Sequence, residues 1–264
     1  MLVGSVIVSL VLGLAVGSFL NVVIHRVPRG ESVVRPPSHC PDCGNPVRAR
    51  HNVPVVGWLV LRGRCADCGR PISARYPLVE LGTGLVFGAV ALRFAHPGQV
   101  ASLPAYLYFA AIGVALAMID FDLKRLPNAI VLPSYPVLAV LLVVPAVIHQ
   151  DWSALARAGI GGVALFAFYL LLVLVYPSGM GWGDVKLAGL VGGVLGYLSW
   201  AALVVGAFGG FLLGAVAGVV VIALRKGDRK TALPFGPFMI IATVLAWFVA
   251  DPIADAYLRL TGLA

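Results

Sequence analysis

Residues 187–224 read LAGLVGGVLGYLSWAALVVGAFGGFLLGAVAGVVVIAL, thirty-eight positions without an Asp, Glu, Lys or Arg. A helix of that length would run about 57 Å at ~1.5 Å per residue, close to two crossings of a ~30 Å hydrocarbon core. The stretch therefore predicts two membrane helices, broken near Ser199. Five further charge-free runs, 1–24, 94–119, 126–150, 158–183 and 231–250, are each long enough to cross. One more span, 78–92, carries Glu80 near its start. The expectation is an all-α polytopic membrane protein with eight transmembrane helices.

The composition agrees. Of 264 residues, 60% are apolar and only 11% charged, and the mean hydropathy is +0.98. Soluble domains run at about 45–50% apolar and about 25% charged, so a soluble enzyme, a disordered chain and a free nucleic-acid-binding domain are excluded. The apolar runs are continuous, without the alternation of barrel strands. Glycines recur at four-residue spacing (Gly13 and Gly17, Gly84 and Gly88, Gly189 and Gly193, Gly210, Gly214 and Gly218), as expected where helices approach closely in lipid.

The net charge of +8 reports orientation rather than nucleic-acid binding. With the N-terminus outside, the inside loops are 25–77, 120–128, 176–186 and 225–234, and they hold sixteen of the nineteen Lys and Arg residues. Only Arg93, Arg157 and Arg259 are left outside, which satisfies the positive-inside rule. The first helix has no basic segment before it and reads as a retained anchor. The expected domains are a first transmembrane helix (1–24), a cytoplasmic four-cysteine segment (25–77) and a seven-helix membrane domain (78–264).

All four cysteines lie in the first inside loop, as Cys40-Pro41-Asp42-Cys43-Gly44 and Cys65-Ala66-Asp67-Cys68-Gly69. Two C-x-x-C-G turns are a common way to present four thiolates to a tetrahedral Zn²⁺. Structural disulfides are rare in a reducing cytoplasm, and no thioredoxin-like pattern surrounds either pair. A loop with so few large apolar residues has too little core to fold alone comfortably, and a metal staple answers that need.

Eleven carboxylates remain to be placed. Glu31, Asp42, Asp67 and Asp228 fall in polar loops, and Asp151, Asp251 and Asp255 near the outer surface. Glu80 is a local partner for Arg75 or a functional group. Asp120 and Asp122 close the third apolar run, in Met118-Ile119-Asp120-Phe121-Asp122, and Asp184 opens the sixth, in Gly181-Trp182-Gly183-Asp184. All three lie at the same, cytoplasmic border, where carboxylates are costly and mark function. Two carboxylates brought together share one proton. The ionised one then takes a proton from water while the other polarises a carbonyl, which is peptide hydrolysis without a metal or a nucleophile. Asp184 alone also reads as a helix N-cap. A proton-coupled transporter using Asp120 and Asp184 as relays is the rival, but it favours acids at the midplane and an inverted repeat, and neither is visible. A catalytically silent assembly factor is a third reading, against which the acids themselves argue. No G-x-S-x-G, Walker or Rossmann signature is present.

These residues, in order, resemble the bacterial type IV prepilin peptidases, bifunctional leader peptidase/N-methyltransferases of pilus, type II secretion and competence systems. The resemblance starts at Gly17-Ser18-Phe19-Leu20-Asn21 and continues through both cysteine pairs. It then takes in Arg75-Tyr76-Pro77-Leu78-Val79-Glu80, the Asp120-x6-Pro127-Asn128 segment and Gly181-x-Gly183-Asp184, the G-x-G-D of membrane aspartyl proteases. It implies that Asp120 and Asp184 are the catalytic pair, Asp120 being preferred to Asp122 for its spacing to Pro127. It also implies an inner-membrane enzyme with its active site facing the cytoplasm. Prepilins or pseudopilins would be the substrates, membrane lipids the setting and S-adenosylmethionine the methyl donor, with Zn²⁺ on Cys40, Cys43, Cys65 and Cys68.

Overall fold

The computed structural model describes residues 2–177, 179–224 and 233–262. Arg225, Lys226, Asp228, Arg229 and Lys230, expected in the last inside loop, lie outside the described residues. Among the described residues the chain is helical, with no strand. The helices are α1 (Leu2–Arg26), α2 (Val56–Val60), α3 (Arg75–Phe94), α4 (Leu103–Leu123), α5 (Asn128–His149), α6 (Trp152–Val175), α7 (Trp182–Leu198), α8 (Trp200–Ala223) and α9 (Gly236–Thr261). Seven of them are long and apolar enough to cross a membrane, one fewer than expected. The exception is α7, whose 17 residues reach only about 26 Å. It is enclosed by α5, α6, α8 and α9, so its short length is covered by protein on most sides. The break at Ser199 falls where expected, with the Ser199 hydroxyl accepting the Ala202 N–H at 3.0 Å to start α8.

The chain divides into two compact units, Met1–Ala115 and Leu116–Ala264. In the first unit α1 packs along α3 at the paired small residues. A Cβ on Gly17 would stand 2.7 Å from the Glu80 Cα, and one on Gly13 would stand 2.8 Å from the Gly84 Cα. Glu80 is 9% exposed. Its Oε2 accepts the Val55 N–H at 2.7 Å, so it holds the inter-helix loop onto α3. Val55 has a φ of 60°, an uncommon state for a β-branched residue, and this hydrogen bond fixes it there.

In the second unit α6 lies against α7. Gly161 and Gly162 face Gly192 and Gly193, and a Cβ on Gly161 would stand 2.6 Å from the Gly192 carbonyl oxygen. A Cβ on Gly192 would press onto the Gly161 carbonyl in turn. Backbone cannot swing aside as a side chain can, so Gly192→Ala is expected to force the two helices apart at a cost of about 1–3 kcal/mol. Gly159→Ala, on the same α6 but with open space around its Cβ position, is the control and is expected to gain up to ~1 kcal/mol from helix propensity. Thermal unfolding in detergent micelles separates the two variants, and equal midpoints would refute the close approach. At the far end of the pair, Arg157 donates to the Gly196 and Tyr197 carbonyls at 3.4 and 3.3 Å. These belong to the last turn of α7, where a cation meets the negative end of the helix dipole.

Candidate functional site

Asp120 sits in the last turn of α4 and Asp184 in the first turn of α7. They are 5% and 8% exposed. Gly181 is the N-cap of α7, and Asp184, three residues on, reaches back so that its Oδ2 accepts the Gly181 N–H at 3.0 Å. This is the return half of a capping box. Asp120 is fixed from much farther along the chain. Its Oδ2 accepts the N–H of Gly236 at 3.1 Å, the first residue of α9, whose N–H has no partner within its own helix. A Cβ at 236 would stand 2.8 Å from that same oxygen, so glycine keeps the carboxylate's place open.

The two carboxylates lie within electrostatic reach of one another. Each uses Oδ2 for a backbone donor, and neither Oδ1 has a hydrogen-bond partner among the described residues. The Leu126 side chain sits beside both anchoring segments. A Cβ on Gly183 would come to 2.9 Å from it, and one on Gly236 to 3.4 Å. Lys186 Nζ donates to Asn128 Oδ1 at 2.9 Å, and the Tyr135 hydroxyl donates to the Lys186 carbonyl at 2.6 Å. The starts of α5 and α7 are thereby tied together. Asp122, two residues beyond Asp120, is exposed. Such a pair can divide the work of base and acid on a carbonyl, since two close carboxyl groups do not both ionise.

Sequence reasoning passed over three participants in this geometry. Gly236 and Leu126 carry no chemistry of their own. Tyr169 lies in a charge-free run, where an aromatic reads as core. It is 1% exposed, packs against Phe211 and Phe235 with ring centroids 5.5 and 6.1 Å away, and its phenol lies within electrostatic reach of Asp184.

In the first unit the four cysteines converge, with all four Sγ atoms within 4.8 Å of one another. Cys40 and Cys68 Sγ are 3.8 Å apart. A tetrahedral ion with Zn–S bonds of ~2.3 Å spaces its sulfurs by about 3.8 Å, whereas a disulfide needs ~2.05 Å. The two turns repeat one hydrogen-bond pattern. Cys40 N–H donates to Asn45 O and Gly44 N–H to Cys40 O, both at 2.9 Å. Likewise Cys65 N–H donates to Arg70 O at 2.8 Å and Gly69 N–H to Cys65 O at 3.0 Å. Gly44 and Gly69 have φ of 72° and 71°, the left-handed state that glycine adopts without strain. Backbone N–H groups of Cys68 and Asp67 hold the Cys65 thiol down at about 7, whereas the Cys43 and Cys68 thiols beside it are raised. The donor set and its spacing fit a tetrahedral metal ion.

Comparison with known proteins agrees with both halves of this architecture. Residues 11–94 match the bacterial peptidase A24 N-terminal domain, and residues 107–222 match the type IV leader peptidase family. A protein of Stutzerimonas stutzeri named prepilin leader peptidase/N-methyltransferase is 36% identical over 98% of this chain and 95% of its own length. Proteins of the same name from Pseudomonas aeruginosa and Neisseria gonorrhoeae are 34% and 37% identical, covering 97% and 90% of this chain and 94% and 87% of their own. No solved structure matches. With near-complete coverage at this identity, and two family domains in the order that α1–α3 and α4–α8 present them, the chain belongs to the type IV leader peptidase family.

Proposed function

We propose that Asp120 and Asp184 are the catalytic pair of a membrane aspartic endopeptidase that removes the basic leader of type IV prepilins and pseudopilins. The enzyme is a multi-pass membrane protein of the prepilin leader peptidase/N-methyltransferase kind. One observation carries the residue assignment: two buried carboxylates from different helices lie within electrostatic reach of one another, each anchored through Oδ2, with no hydrogen-bond partner for Oδ1 among the described residues. The ionised acid takes a proton from water as the water oxygen attacks the scissile carbonyl. The protonated acid gives its proton to the carbonyl oxygen, forming a neutral gem-diol. Collapse of the gem-diol returns one hydroxyl proton to the now ionised carboxylate, while the acid that took its proton from water delivers that proton to the leaving amine, which restores the single shared proton.

The excess of basic residues in one set of loops supports a site at the cytoplasmic face of the inner membrane, where a charged leader meets the apolar helix that follows it. Anionic lipid at that surface holds the leader, because the enzyme's own inside loops are basic. A small residue such as Gly before the scissile bond lets the substrate unwind beside Gly181 and Gly183. The new N-terminal amine is then methylated, with S-adenosylmethionine supplying the methyl group. Zn²⁺ on the four cysteines is structural and takes no part in either step.

Co-expression with a prepilin, read by mass spectrometry, tests the whole reading. The mature pilin is expected to have lost its leader and gained one methyl group at its N-terminus. A bulky residue in place of the Gly before the cut is expected to block processing, and equal cleavage of that variant would refute the site geometry.

A further inference from the structure

Arg26 closes α1, and it is only 8% exposed. Its Nη1 donates to the Ser32 carbonyl at 3.0 Å. The neighbouring Glu31 offers just its backbone N–H, to the Arg26 carbonyl. A guanidinium carries five N–H donors, so most of this one's donors have no acceptor among the described residues, and no carboxylate there pairs with it. A buried charge left in this state is strongly destabilising unless an anion or water answers it.

Arg26 lines a cavity of 410 Å³ between α1 and the loop that follows. That volume falls within the ~300–1,000 Å³ of small-ligand sites. The wall is mixed as such sites are, with Ser18 and Phe19 from α1 and Ser38, Asn52 and Pro54 from the loop. No acidic side chain lines it.

We infer that this cavity binds S-adenosylmethionine, with the carboxylate of the methyl donor on Arg26. The inference rests on the methyltransferase half of the proposed function and supplies a location for its donor. A carboxylate takes two parallel N–H bonds from a guanidinium, which answers the unpaired charge. The hydroxyls of Ser18 and Ser38 and the Asn52 side-chain carbonyl offer acceptors for the donor's ammonium group. Phe19, 53% exposed, offers a flat apolar face to its adenine. The phosphate of an anionic lipid shares the anion chemistry, and the binding test below separates the two.

The test is equilibrium binding of S-adenosylmethionine to the purified full chain in detergent micelles, by calorimetry. Arg26→Gln is expected to weaken binding at least tenfold, and Arg26→Lys less, since lysine keeps the charge but loses the bidentate fork. Asn52→Ala, at an exposed position, is expected to weaken binding severalfold and covers the case in which Arg26→Gln does not fold. Unchanged affinity in Arg26→Gln or in Asn52→Ala overturns the site. Displacement by phosphatidylglycerol with no response to S-adenosylmethionine overturns it in favour of a lipid headgroup. A wild-type enzyme that methylates pilin while Arg26→Gln binds the donor normally leaves the proposed function standing and removes this inference alone. A wild-type enzyme that cleaves but neither binds donor nor methylates removes both.

Discussion

Asp120→Asn and Asp184→Asn are each expected to lower leader cleavage by at least about a thousandfold, the middle of the range for losing a positioned general acid or base, with folded yield unchanged. The amide has nearly the shape of the acid, and its carbonyl oxygen can still accept the backbone N–H that holds each side chain, Gly236 for Asp120 and Gly181 for Asp184. What the amide cannot do is take a proton from water or give one to the scissile carbonyl. The loss therefore falls on the chemical step and not on packing. Asp122→Asn changes a carboxylate that is exposed, and cleavage should stay within about twofold of wild type, as for an ordinary surface substitution. The decisive measurement is the cleavage rate of all three variants on one prepilin, normalised to folded protein. An active Asp120→Asn beside an inactive Asp122→Asn would falsify the assignment of the first acid.

The helices were largely legible, because a long run without charge has few stable homes other than a bilayer or a buried core. Their ends were less so, since a charge was read as a boundary. Arg157 was expected to precede α6, yet α6 begins at Trp152, because Arg157 finds acceptors on the last turn of α7. In the same way α9 runs on to Thr261 through Asp251, Asp255 and Arg259. The shortness of α7 is implicit in a span opened by Asp184 and broken near Ser199, but its enclosure was hidden: a charge-free run reports apolarity and says nothing of how many neighbours surround the helix. At the candidate site, Asp120 and Asp184 stood out because a carboxylate at a hydrocarbon border demands an explanation. Gly236 was not, since its part is a single backbone N–H given to a residue 116 positions away. No local pattern encodes such a partner. Glu80 shows the same limit, with Arg75 in view as a neighbour but the Val55 N–H supplied by a loop that only the fold brings back.

Removing the metal is expected to cost the cysteine segment its structure before it costs the membrane helices theirs. Between α1 and α3 the chain forms short turns, the single 3-10 turns Val27–Arg29 and Ala49–His51, the five-residue α2 and two isolated bridges, His39 with Pro46 and Arg64 with Pro71. Among the described residues, the ion pair that joins the two turns is Arg48–Asp67 at 2.6 Å. With side chains 52% and 24% exposed, such a pair contributes at most ~1 kcal/mol. A structural zinc contributes apparent binding energies of about 10–16 kcal/mol in small zinc peptides, so the metal dominates by an order of magnitude. Purified protein is expected to hold about one zinc per chain, as one four-thiolate site requires. Cys40→Ser with Cys65→Ser takes one ligand from each turn and should abolish zinc retention. The segment between α1 and α3 should then open to protease while the membrane helices stay protected. Folded yield should fall more steeply than cleavage per folded molecule, as the proposed structural role of the metal requires. Metal analysis and limited proteolysis on the same sample decide the matter. Two disulfides with no bound metal, or a metal-free double variant whose loop resists protease as the wild type does, would remove the staple from the account.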